Sequence, residues 1–165
     1  MSRLLEAGTV LMLQLHYTPS GTTRRDRSAV GVHFASTDPA WRPECIVRTA
    51  GISNRTFEVP ARASAHVDTA TGLVKRTMHI TSLMPHMHLR GKAFRFERIA
   101  LDGTRTTLLD VPRYDFNWQL SYDLEEPIVL EAGERIDLRA VFNNSSENLA
   151  NPAPGRRGSL GSRNR

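Results

Sequence analysis

The feature that most limits what this chain folds into is a period of two. RIDLRAVF, residues 135–142, sets Ile136, Leu138, Ala140 and Phe142 on one side and Arg135, Asp137, Arg139 and Val141 on the other. From Lys92 the same rhythm puts Phe94 and Phe96 on one face, with Arg95 and Glu97 on the opposite one. A two-residue repeat is the signature of a half-buried strand, because successive side chains project from opposite faces. Asp102–Gly103 follows as the strongest hairpin turn in the chain, and residues 105–111 return as its partner strand. Ala132–Gly133 marks another turn. No segment sustains a 3.6-residue period with caps, so the expected fold class is all-β, a jelly-roll-like antiparallel β-sandwich.

Weaker strands are expected elsewhere. In TVLMLQLHY, residues 9–17, Leu11, Leu13, Leu15 and Tyr17 share one face and Met12, Gln14 and His16 the other. AVGVHFA, residues 29–35, reads as a second strand. STDPAWRP, with two prolines, reads as a connector between domains. Short β-prone pieces follow in CIVRTA, RTFEV and LVKRTMHITSL, broken by Gly51, Pro60 and a Thr71–Gly72 turn. From Asn143 the chain carries little apolar surface to bury. No further strand is expected there, and disorder is expected beyond about Pro152.

Charge and cysteine content narrow the function classes. Four of the five net positive charges lie in residues 151–165, at Arg156, Arg157, Arg163 and Arg165. A nearly neutral body with a basic tail argues against a nucleic-acid groove. The single Cys45 rules out an internal disulfide or a Cys-rich zinc site. No apolar run is long enough to span a membrane, and no secretion signal opens the chain; on this reading it stays in the cytoplasm.

The chemistry concentrates in MPHMHLRGK, residues 84–92. His86 and His88 stand two apart, so an extended backbone projects both imidazoles from one side, where neutral rings ligate one metal ion. Met84 shares their parity, although Pro85 disturbs a regular strand, whereas Met87 faces away toward the core. Gly91 sits where the chain turns or lets another group close. His33, His66 and His79 have no matched role: His66 lies in a loop-like stretch, and His79 has the opposite parity to the pair. Tyr114, Phe116 and Trp118 alternate and read more as core than as a substrate wall. Asn54, Asn143 and Asn144 open Asn-x-Ser/Thr triplets, which are common by chance.

Several phrases coincide: LQLHY ending at Tyr17, GVHFA at 31–35, MHITSLMPHMHLRG at 78–91, LDGT, YDFNWQ at 114–119 and NNSSENLANP at 143–152. Together they resemble the copper type II, ascorbate-dependent monooxygenases, the family of peptidylglycine alpha-hydroxylating monooxygenase and dopamine beta-monooxygenase, and most of all its bacterial members. The resemblance covers roughly residues 5–152. It implies two jelly-roll domains, each holding one copper. One copper has three histidines and transfers electrons. The other has two histidines and a methionine and binds oxygen beside the substrate, ascorbate reduces both, and a C–H bond is hydroxylated.

On that resemblance His86 and His88 match the pair of the oxygen-binding copper, and His16 matches the last histidine of the electron-transfer copper. Residues 1–38 then resemble the closing strands of a preceding copper domain, 39–152 the C-terminal copper domain, and 153–165 a disordered basic tail. The pattern is incomplete. No histidine precedes His16 and no methionine follows Met87, so each copper site lacks ligands. The expectation is a truncated or frame-shifted piece of a longer enzyme, secreted or periplasmic if the whole is. Its rival is a non-catalytic β-sandwich binding module. Strand edges left exposed at Leu11, Leu13, Leu15 and Tyr17 are expected to drive self-association.

Overall fold

The computed structural model describes residues 5–15, 17, 20–34 and 48–159. The chain divides into two units, residues 1–50 and residues 51–165. The connector expected over 36–43 lies outside the described residues, as do His16 and Cys45.

The second unit is all-β and antiparallel. Its strands are β1 (Glu58–Val59), β2 (His66–Leu73), β3 (Met78–Leu83), β4 (Gly91–Ile99), β5 (Arg105–Val111), β6 (Tyr122–Leu130), β7 (Arg135–Phe142) and β8 (Gly158–Ser159). They form a four-stranded sheet in the order β2-β7-β4-β5 and two-stranded sheets β3-β6 and β1-β8. The arrangement is sandwich-like: Leu83 and Leu130 from β3-β6 join Phe94, Phe96, Leu138 and Phe142 of the larger sheet in one buried cluster. Burying side chains of this size stabilises by about 1.5–3 kcal/mol each.

The strongest sequence signals form as expected. β7 sits between β2 and β4, and its Ile136, Leu138, Ala140 and Phe142 are all buried. The β4–β5 hairpin closes through Asp102–Gly103: Gly103 has φ of 87°, its N–H donates to the Ala100 carbonyl at 3.0 Å, and Asp102 Oδ1 accepts from the Thr104 N–H at 2.8 Å. β3 and β6 shift register between Ile80 and Ser82, which leaves residues 124–127 of β6 outside the regular pairing. Pro127, which has no N–H to donate, falls in that stretch.

Three expectations are corrected. Thr71–Gly72 is not a turn, and His66 is not in a loop. Both lie in β2, which pairs with β7 from His66↔Phe142 to Leu73↔Arg135. β2 was hidden because its more buried side carries His66, Asp68, Ala70 and Gly72, while Val67 and Leu73 point outward. The inner side is small because Ile52 lies against it; a Cβ on Gly72 would stand 2.5 Å from Ile52 Cδ1.

The second correction concerns the chain after Asn143. β8 pairs there with β1, and Asn144 is fully buried. Polar partners do the work that apolar residues were expected to do. Asn144 Nδ2 donates to the Pro60 and Arg156 carbonyls, both at 2.8 Å, and its Oδ1 accepts from Arg90 Nε at 2.7 Å and Asn151 Nδ2 at 2.9 Å. A buried amide with every donor and acceptor matched fixes a loop as firmly as a small apolar cluster. Its burial also removes Asn144 as a glycosylation acceptor.

The third concerns the first unit. No described residue of 5–15, 17 or 20–34 belongs to a strand, and all are exposed. Leu11, Leu13 and Leu15 alternate but have no ladder partner among the described residues, and Phe34 is 90% exposed. The bonds within these stretches are local: Tyr17 Oη donates to Asp26 at 2.8 Å, and Thr9 Oγ1 donates to the Glu6 carbonyl at 2.7 Å. Among the described residues no helix is long and apolar enough to cross a membrane.

Candidate metal centre

Residues 84–88 join β3 to β4 without belonging to either. They nevertheless continue the strand rhythm. Leu83, Pro85 and Met87 are buried, and Met84, His86 and His88 are exposed. Pro85 therefore leaves the alternation intact, its ring filling an inward position. The two imidazoles stand on one side, ring centroids 5.4 Å apart and planes at 90°. Among the described residues neither ring makes a hydrogen bond or an ion pair. The pair lies not on a strand, as its parity predicts, but on extended backbone beyond the last ladder of β3.

Met87 anchors the segment from the opposite side. Its side chain is 3% exposed and belongs to the core cluster. Its backbone is gripped by Tyr114 from the YDFNWQ phrase. The Met87 N–H donates to Tyr114 Oη at 3.0 Å, and Tyr114 Oη donates to the Met87 carbonyl at 2.5 Å. Burial pushes the Tyr114 phenol above its ordinary range and the Asp115 charge adds to this, against the opposing effect of the Met87 bond. The phenol stays protonated and keeps its donor.

Gly91 makes this approach possible. A Cβ there would lie 2.7 Å from Tyr114 Cδ1 and 2.8 Å from Met87 Cβ. The turn that follows is tied down as well. The Gly91 N–H donates to the His88 carbonyl at 2.8 Å, Asn148 Nδ2 to the Leu89 carbonyl at 3.0 Å, and the Asn143 N–H to the Arg90 carbonyl at 2.7 Å.

The electrostatics favour ligation. Partial burial lowers the His88 pKa, and the nearby His86 lowers it further. A neutral imidazole presents a lone pair, whereas a protonated one does not. Among the described residues no third histidine, cysteine or carboxylate joins the pair to make a three-donor cluster of those types. Met84, 52% exposed, places a thioether on the same side as the two rings.

None of the other histidines joins a three-donor cluster among the described residues. His33 is exposed in the first unit, His66 is half-buried at the start of β2, and His79 stands on β3 opposite Val129. His16 lies outside the described residues. The aromatic phrase divides: Tyr114 and Phe116 are half-buried, but Trp118 is 67% exposed, so the expectation of an all-core trio fails at Trp118. Sequence reasoning missed the tie between Tyr114 and Met87, which lie 27 residues apart. It missed the Asn144 network for the same reason.

No protein-family model matches the chain, and no curated protein does.

Proposed function

We propose that residues 51–159 carry the oxygen-binding copper site of a copper-dependent monooxygenase, with His86 and His88 as its imidazole ligands. The observation that carries this reading is the pair itself: two rings on one exposed side, 5.4 Å apart, with no competing hydrogen bond among the described residues. The donor chemistry fits copper. Imidazole suits both of its oxidation states, and a thioether such as that of Met84 favours the reduced one. Copper held there would supply oxygen activation for hydroxylation of a C–H bond, with electrons from an external reductant such as ascorbate. The chain's own part is to present two imidazole rings from one side of the backbone. Met87 and Tyr114 hold the backbone between them, and the partial burial of His88 keeps its lone pair available near neutral pH. His16, matched by resemblance to the electron-transfer copper, belongs to the same reading. The substrate is a small molecule or a peptide-like one.

Copper titration of the full chain tests the proposal. One high-affinity copper per chain, weakened at least tenfold in both His86→Ala and His88→Ala, supports it. Binding that neither substitution weakens leaves a β-sandwich binding module without this centre.

A further inference from the structure

The structure assigns Tyr114 a positioning role: its hydroxyl fixes the mutual placement of the His86 and His88 rings by clamping the backbone of Met87, the one residue between them. The assignment builds on the copper reading of the pair, yet it concerns a geometry that exists without metal.

Residues 84–88 have no ladder to hold them. Among the described residues, the hydrogen bonds reaching this stretch are those of Tyr114 to Met87 and of the Gly91 N–H to the His88 carbonyl. A backbone with free φ and ψ at Met87 would let the two rings rotate independently, and each degree of freedom so released costs ligation entropy. One hydroxyl removes that freedom by accepting from the N–H and donating to the carbonyl of the same residue. Two further contacts hold the tyrosine itself. Its ring lies against Gly91 at a distance no Cβ would allow, and its own backbone N–H donates to the Lys92 carbonyl at 2.9 Å. Its neighbour in the buried layer, Met87, is in turn locked into the core. Tyr114 is thus fastened to residues 87–92 at both its ring and its backbone. Groups that orient a ligand without touching the metal typically change metal affinity by about 10–100-fold when removed.

Tyr114→Phe keeps the ring against Gly91 and deletes both hydroxyl bonds. In the metal-free full chain, nuclear Overhauser contacts between the His86 and His88 rings should be present in the wild type and lost or averaged in the variant. The Met87 amide should exchange at least tenfold faster. Loaded with one equivalent of Cu(II), the variant should bind about tenfold more weakly and give a broadened nitrogen hyperfine pattern. Inter-ring contacts and copper spectra unchanged in Tyr114→Phe would overturn the assignment and leave the tyrosine a purely structural residue. Should His86→Ala and His88→Ala leave copper binding untouched, the copper reading fails while the ring contacts still decide the role of Tyr114. If the variant does not fold, exchange in the wild type decides. A Met87 amide protected well beyond those of His86 and His88 supports the clamp, and one exchanging as fast as they do contradicts it.

Discussion

Two stretches of this chain alternate equally well, and among the described residues only one forms a strand. LMLQLHY before the first loop and RIDLRAVF near the end carry the same apolar rhythm. The second is β7, paired on both sides and buried along one face. The first has no ladder among its described residues, and its leucines are exposed. Alternation therefore states which face a strand would bury, not that a partner exists to bury it. A strand's backbone groups and its apolar side both have to be satisfied by something else.

The contrast predicts unequal responses to substitution. Phe96, on the buried face of β4, should be the most costly: Phe96→Ala is expected to lose about 3–5 kcal/mol in denaturant unfolding. A loss below 1 kcal/mol would mean that the sandwich core is not the source of stability. Asn144→Ala comes next, at about 1–3 kcal/mol, since it strands several buried partners at once. A neutral result there would show that the 143–159 segment is dispensable.

Acid should also separate the regions. The Arg98 guanidinium on β4, which bonds Glu134 just before the neighbouring strand β7, holds that carboxylate below its ordinary range. A depressed carboxylate contributes stability above its unfolded pKa, and that contribution is lost as pH falls through the lower folded value. Thermal melts should therefore show a midpoint steady near neutrality and falling in acid, with a shallower fall in Glu134→Gln. An equally steep fall in the variant would assign the acid sensitivity elsewhere. The smallest effect belongs to the unladdered stretch. Leu13→Ser should change stability by no more than about 0.5 kcal/mol. It should reduce self-association in sedimentation, and a sharp monomer already present in the wild type would contradict that expectation.

How much was readable in the sequence follows the same division. β4, β5, β7 and their turns were plain because each carries its own pattern or its own turn chemistry, as at Asp102–Gly103. β2 was not, because its inner side holds Asp68, Ala70 and Gly72 and its hydrophobes face out; only pairing with β7 makes it a strand. The histidine pair was readable from parity alone, and the burial of Met87 followed from the same parity. Tyr114 was visible as an aromatic but not as a clamp, since nothing local says which backbone a phenol will reach 27 residues away. The fixing of 143–159 was invisible for a related reason. Asn-rich loops look unstructured until the carbonyls they bind are in place.

The central claim is that two imidazoles on one side of a short extended segment hold a single copper ion between them. Pulsed electron paramagnetic resonance of the full chain loaded with one equivalent of Cu(II) tests it most directly. Modulation from two imidazole nitrogens on one copper, reduced to one in His86→Ala and likewise in His88→Ala, is the predicted result. A wild-type signal from a single imidazole, or one that both substitutions leave unchanged, would contradict it.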